Sequence, residues 1–465
     1  MLHITGGEGI EHESYHLTIN GKHMRVIILG GGFGGMKTAM GLDNKKDIDV
    51  LLIDRFNYHQ FQPLFYQVAT AGLDASNISF PLRKAFHHSK NIKIRVAEVI
   101  EIAPDRKMVV TSSGEYPYDL LIIAMGADTN FFGNEQIARY AWPMKSTVEA
   151  LKLRHHIIQN FEHALEEKDE DRLKEMLTVV IVGGGPTGVE LAGAIAEMRN
   201  SVLPKDYPEL DFSKMSIYLI EGMERVLAVM SDKSSARSAR YLEELGIKVI
   251  TNAMVQDYDG EALSFTDGKK IYAGTVIWAA GIRGNIPWGI PDSSVLKGNR
   301  IIVNEFNEVK DFPGVYAIGD VAYMETKEYP RGHPQVAPVA LEQGKLLCKN
   351  LIRQMNAQPL TPFVYHDKGA MATVGRHKAV ADIPKPALHL GGFLAWFAWM
   401  ALHLFQIVGV KNRIFVFVNW IYHYFTFDQS LRLIFREFNT PADLLRERRS
   451  PEDKKPYVGS SQDVR

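Results

Sequence analysis

Two glycine clusters stand where a run of β-branched and leucine residues gives way to a helical pattern. Val26–Gly35 reads VIILGGGFGG and Val179–Gly193 reads VVIVGGGPTGVELAG. Glycine at such a junction lets the backbone turn sharply and approach a pyrophosphate, which then rests on the helix amino terminus. A lone cluster also marks ordinary turns; the strand before and the helix after are what make it informative. Each unit later ends a second strand on an acid, Asp54 after VLLI and Glu221 after SIYLI. A carboxylate there accepts both hydroxyls of an adenosine ribose. Two dinucleotide sites imply two dinucleotides, most simply a bound flavin and a nicotinamide, and hence electron transfer.

The elements that must position these residues alternate strand and helix. The expected fold is α/β, with two Rossmann-like units, one for FAD and one for NAD, and a C-terminal membrane-associating helical segment. Residues 24–143 form the first part of the FAD unit, from strand Arg25–Leu29 through helix Gly34–Leu42 to strand Val50–Ile53. Residues 144–282 form the NAD unit and close on GTVIWAAGI. Residues 283–386 return to the FAD unit through VYAIGDVA, where Gly319 and Asp320 at a strand end set an amide and an acid against a ribityl-diphosphate. The insertion SVLPKDYPELDFSKM lengthens the path to Glu221 beyond the usual ~20 residues. Ribose binding is the favoured reading of that acid, and a simple strand end is the other.

Residues 387–440 differ from the rest. Leu390–Val410 carries no charged residue, Lys411-Asn412-Arg413 interrupt the run, and IFVFVNWIYHYFTF follows. Residues 391–427 hold 12 aromatics, including three of the six tryptophans. Trp and Tyr settle at headgroup level, and the second run is too short to cross a bilayer. An in-plane interfacial hairpin fits better than a buried helix pair, and a buried pair better than a true span. A charged tail, 441–465, ends the chain.

Composition narrows the chemistry. At 465 residues, 46% of them hydrophobic, two or three domains are expected. A net charge of -1 offers no electrostatic case for nucleic acid. One cysteine, Cys348, excludes a disulfide, a cysteine-ligated iron–sulfur cluster and a Cys-x-x-C couple, and it reads as a small buried residue. The histidines lack ligand spacing, so no metal is expected. Residues 1–23 are polar, lack the apolar run of a signal peptide and receive no function; the catalytic units are accordingly expected on the cytoplasmic face of the inner membrane.

Residues 25–440 resemble the type II NADH:quinone oxidoreductases. The resemblance is carried by HQFQPLFYQVATAGL (His59–Leu73), GADTNFFG (Gly126–Gly133), GGGPTGVELAG, AIGD, MATVGRHKAVAD and the aromatic segment. It implies non-covalent FAD, NADH as donor, a membrane quinone (menaquinone or ubiquinone) as acceptor, a lipid-docked homodimer and no proton pumping. The implied FAD contacts are Gly30, Gly32, Phe33, Gly34, Gly35, Asp54, Arg55, Gln62, Val99, Ala124, Gly126, Gly319 and Asp320. Those for NADH are Gly183, Gly185, Pro186, Thr187, Gly188, Glu221, Ala280 and Gly281. Glu190 is implied to point toward the nicotinamide; a solvated or capping carboxylate is the alternative. Lys378 either neutralises charge near flavin or quinone or is an exposed turn lysine.

The family's Ala-Gln-x-Ala-x-Gln helix start is here Ala337-Pro338-Val339-Ala340-Leu341-Glu342, followed by Gln343. Proline is tolerated at a helix start. Either Gln343 or Glu342 then meets the quinone, or quinone turnover is impaired. The second case leaves open an NADH-binding flavoprotein sensor at the membrane. A sulfide:quinone reductase would need paired cysteines, and a soluble ferredoxin or rubredoxin reductase would not need the aromatic segment.

Overall fold

The computed structural model describes residues 23–296, 298–426 and 431–434. The extension expected before His23, residues 435–440 and the charged tail expected over 441–465 lie outside the described residues.

In chain order, the elements that matter for the site begin with β1 (Met24–Leu29), α1 (Phe33–Leu42), β2 (Ile48–Asp54), α2 (Phe65–Ala69), β3 (Ile92–Val96) and β4 (Leu120–Ile123). Then come β5 (Val179–Val182), α3 (Pro186–Glu197), β6 (Ile217–Ile220), α4 (Asp232–Glu244), β7 (Lys248–Ile250) and β8 (Thr275–Trp278). The chain continues with β9 (Val315–Ala317), α5 (Ala337–Met355), β10 (Ala370–Thr373), β11 (Ala379–Ile383), β12 (Leu388–Gly392), α6 (Phe393–Gln406) and α7 (Val410–Thr426).

Two parallel sheets carry the architecture. The first has the order β9-β4-β1-β2-β3, so the strand after Gly314 joins the sheet begun at Met24. The second has the order β7-β6-β5-β8. Continuous apolar runs such as Val26–Leu29, Leu120–Ile123 and Val179–Val182 are buried, as strands covered on both faces require. In each sheet the strand order reverses beside the strand that feeds the glycine turn, and a crevice opens there at the carboxyl ends.

That crevice dictates glycine. Gly30 takes φ +102°, and a Cβ on it would lie 2.4 Å from the Ala124 carbonyl oxygen at the end of β4. A Cβ on Gly35 would lie 1.8 Å from the Gly30 oxygen. The second sheet repeats the arrangement, with Gly183 (φ +115°) 2.6 Å from the Ala279 oxygen and Gly188 1.9 Å from the Gly183 oxygen. These are backbone contacts, so no rotamer change can relieve them.

The charge-free run Leu390–Val410 is not one helix. Its first residues complete β12 in the antiparallel sheet β10-β11-β12. Gly392 at φ +69° precedes α6, and Gly409 at φ +91° separates α6 from α7. At 14 and 17 residues and ~1.5 Å rise per residue, neither helix reaches the ~30 Å of a hydrocarbon core; among the described residues no helix is long and apolar enough to cross a membrane.

Candidate active site

The two strand-end acids lock their glycine loops in the same way. Asp54 Oδ2 accepts from Gly31 N–H at 2.6 Å and Oδ1 from Phe56 N–H at 2.6 Å. Glu221 Oε2 accepts from Gly184 N–H at 2.6 Å and Oε1 from Met223 N–H at 2.7 Å. Each oxygen keeps a lone pair for an incoming hydroxyl. Burial raises the Asp54 carboxyl, and the amides of Gly31 and Phe56 and the Arg55 charge oppose the rise. The path from glycine to acid spans 23 residues in the first unit and 37 in the second, yet both close on the same contact.

The residues expected to contact the cofactors sit on these elements as follows. Gly32 caps α1, Phe33 and Gly34 open it, and Phe33 packs edge-on against His59 at 5.3 Å. Gly185 caps α3, with Pro186 and Thr187 in its first turn. Ala124 and Gly126 follow β4, Gly126 at φ +67°, and Ala280 and Gly281 follow β8, Gly281 at φ +111°. Gln62 opens a short 3-10 turn before α2, Arg55 lies over the Phe56 ring, and Val99 starts an antiparallel hairpin strand.

Gly319 takes φ +72°, and Asp320 follows it into a largely desolvated position. Burial raises the Asp320 carboxyl against the opposing charges of Lys145 and Arg300. Among the described residues no hydrogen bond reaches this carboxylate. A half-buried carboxylate with no protein donor is open to one from a ligand, such as a ribityl hydroxyl. The Cβ-free cradle at Gly30–Gly35, the Asp54 lock and Asp320 therefore fit FAD.

Three expected residues have protein partners of their own, and Lys378 takes the exposed-turn reading. Gln343 is buried in α5, and its Oε1 accepts from Gly319 N–H at 2.7 Å. It holds the Gly319–Asp320 turn through that oxygen. Glu342, the preceding residue on α5, is ion-paired with Lys368. Lys378, in the β10–β11 turn, pairs with Glu244 of α4 and lies over the Tyr241 ring, so it neutralises a surface acid. In each case a nearer protein partner takes the polar group. Pro338 sits in the first turn of α5, where its missing N–H costs nothing.

Glu190 is the acid that does face a cavity. It is 8% exposed, on α3, and its Oε1 accepts from Thr373 N–H at 3.3 Å. Burial pushes its carboxyl up to about 8, with hydrogen bonds from Thr373 and Trp399 pulling partly the other way. The cavity, with about 70 Å³ open to water-sized molecules, is bounded by α2, α3, the β10–β11 turn and the inner faces of α6 and α7. A hydrogen-bonded chain runs along it. Trp420 Nε1 donates to Gln67 Oε1 at 2.7 Å, Gln67 Nε2 to the Tyr66 hydroxyl at 2.9 Å, and that hydroxyl meets Thr373 Oγ1 at 3.1 Å.

Tyr66 and Gln67 fall inside the QPLFYQVA run, but no side-chain role was assigned to them from sequence. Glu197 and Arg376, which also line the cavity, were missed. The signal for Glu197 was its spacing of seven from Glu190 on a helix, which sets both on one face.

The fold and cavity can now be compared with known proteins. Residues 24–344 match the pyridine nucleotide-disulphide oxidoreductase family, and residues 367–426 match the NDH2 C-terminal domain. A type II NADH:quinone oxidoreductase of Mycobacterium tuberculosis, Ndh, is 34% identical over 411 residues, covering 85% of this chain and 87% of the relative. The chain belongs to the type II NADH:quinone oxidoreductases.

A member from Haemophilus influenzae is 28% identical, over 81% of this chain and 92% of its own length. NDH2 from Plasmodium falciparum, solved in complex with NADH, superposes with a TM-score of 0.80 at 22% identity, over 89% of this chain and 100% of that one. The sulfide:quinone oxidoreductase of Aquifex aeolicus shares the fold at a TM-score of 0.64 and 20% identity. As a type II enzyme the chain uses FAD to oxidise NADH and reduce quinone, and membership favours this over the sensor reading.

Two substitutions check the loop assignments. On the expectation that Glu221 accepts the ribose hydroxyls, Glu221→Ala costs about 1–3 kcal/mol of NADH binding and narrows any preference for NADH over NADPH in binding titrations. Gln343→Ala loosens the Gly319 turn: bound flavin per chain, released by heat and measured by absorbance, falls, and both half-reactions fall with it. Loss confined to quinone reduction would return Gln343 to the quinone site.

Proposed function

We propose that Glu190 is the proton donor to the quinone, and that the cavity beneath α6 and α7 is where the quinone head group arrives from lipid. The observation that carries this is the placement of an uncompensated buried acid against a cavity whose outer wall is the aromatic helix pair. FAD is held by segments 24–143 and 283–386, and NADH by 144–282 across the Gly183–Gly188 loop. Held by these residues, a flavin would supply the chemistry that turns hydride donation by NADH into two-electron reduction of a quinone.

The chain's residues supply position and protons. Asp54, Gln343 and the glycine loops fix the cofactor, and Glu221 selects the unphosphorylated ribose by repelling a 2′-phosphate. With its carboxyl near 8, Glu190 holds a proton at pH 7 and still releases it readily, which suits a general acid. Thr373 N–H and the Trp399 indole keep it aimed.

Segment 387–440, described as far as Thr426 and again at 431–434, supplies the lipid contact. Trp399, Ile407, Val416 and Trp420 face inward and are buried. Phe397, Phe405, Phe417 and Phe425 are 46% to 75% exposed. An apolar face of that extent marks an interaction surface, and the aromatic composition suits a bilayer interface. Peripheral docking on the cytoplasmic leaflet, as a homodimer, completes the reading.

Two measurements test it. Glu190→Gln lowers quinone reduction about 100-fold relative to ferricyanide reduction, which needs no proton. The parent's quinone rate falls as pH rises through about 8, where Glu190 loses its proton, and the variant lacks that limb; a retained limb would assign it to another group. Changing Phe397, Phe405, Phe417 and Phe425 together to Ser abolishes co-sedimentation with phospholipid vesicles while NADH–ferricyanide activity persists. Undiminished vesicle binding would remove the docking assignment.

A further inference from the structure

Reduction of a quinone by NADH takes one proton from water: NADH + H⁺ + quinone gives NAD⁺ + quinol. Two electrons and one hydrogen nucleus come with the hydride, so Glu190 must be recharged once per turnover. It is 8% exposed and cannot draw a proton directly from bulk solvent. Resting on the reading of Glu190 above, we infer that Glu197 is the residue through which that proton enters, crossing the cavity by way of water past Ala194.

The geometry comes from α3. Glu190, Ala194 and Glu197 are spaced at four and three residues, lie on one helix face and all line the cavity. Two turns separate the carboxylates, ~10.5 Å along the axis, too far for direct transfer. The methyl group of Ala194 between them leaves the gap open. At ~10–15 Å³ per water, the cavity's volume of about 70 Å³ holds a short file.

Glu197 is the outer member. It ends α3, retains some solvent exposure, and is followed by a π turn over Met198–Val202. Its Oε1 accepts from Arg376 N–H. The groups around it are Arg376 from the β10–β11 turn, His423 and Tyr424 from α7, Tyr66 from α2 and Glu190 from its own helix. Arg376 is the charged neighbour that lowers the Glu197 carboxyl, but burial outweighs it and holds the group at about 7. At neutral pH Glu197 is thus part protonated and Glu190 protonated, the order a relay toward Glu190 requires.

The step balances. Glu190 gives its proton to a quinone oxygen, takes one from the water file, and the file takes one from Glu197, which recovers its own from solvent. Both carboxyls end as they began, and neither is oxidised.

The experiment compares the parent flavoenzyme with Glu197→Gln and Ala194→Leu, using a soluble quinone and ferricyanide as acceptors. Expected for Glu197→Gln is an about tenfold fall in the ratio of quinone to ferricyanide rates, with an enlarged solvent deuterium isotope effect on the quinone reaction alone. Ala194→Leu, which keeps both carboxylates and blocks the file, gives the same split. Infrared difference spectra between pH 6 and 8 show a carboxyl band near pH 7 in the parent and not in Glu197→Gln. An unchanged ratio and isotope effect in Glu197→Gln, or a parallel loss with both acceptors, overturns the inference while leaving the role of Glu190 standing. A parent that reduces ferricyanide but no quinone removes the reading of Glu190, and this inference with it.

Discussion

The structure depends on one contact made twice: a carboxylate at the end of a second strand, accepting the backbone amide of a glycine that follows the first. In both units the distance is 2.6 Å. The bond ties the crevice floor to its rim and leaves the remaining lone pairs facing the nucleotide. It also fixes the turn that only glycine can make, since Gly35 and Gly188 lie against the oxygens of Gly30 and Gly183 at under 2 Å from a would-be Cβ. The sheets, the helices laid over them and the cavity between units follow from these two registers.

This part of the molecule was legible without coordinates because it is local. A strand, three glycines and an acid announce themselves within a few dozen residues, and the 37-residue path to Glu221 still closes as the shorter one does. The return of the chain at Val315 into the first sheet was also readable, through the Gly319–Asp320 turn that the strand delivers. Residues judged by type alone carry less information. Gln343, Glu342 and Lys378 carry the right groups for a quinone site, but their partners Gly319, Lys368 and Glu244 come from remote segments. Of the cavity residues only Glu190 was named from sequence. Its neighbours Tyr66, Arg376 and Trp399 meet it only after α2, α3, β10 and α6 have packed, and no linear spacing records that meeting.

Polarity is distributed against expectation at the C-terminal helices. The sequence offered a choice between a lipid-facing hairpin and a core pair, and the helices pack one face into the core while exposing apolar side chains on the other. Their tryptophans Trp399 and Trp420 belong to the same buried cluster as Val189, Leu191 and Ile195 of α3. Their phenylalanines point away. Hydrophobic residues all round a helix thus serve two different apolar media, the protein interior on one side and a solvent-facing patch on the other.

One consequence follows from the Trp420–Gln67–Tyr66 chain. A peripheral anchor joined to its enzyme by a linker can be cut off or exchanged without loss. Here the helix pair is also a wall of the cavity, with an indole hydrogen-bonded to α2 and another beside the buried acid. Trimming the helices to make a free-standing enzyme would flood Glu190 with solvent and return its carboxyl toward the ordinary range. The helix pair that carries the exposed phenylalanines also supplies the tryptophans that enclose the buried acid.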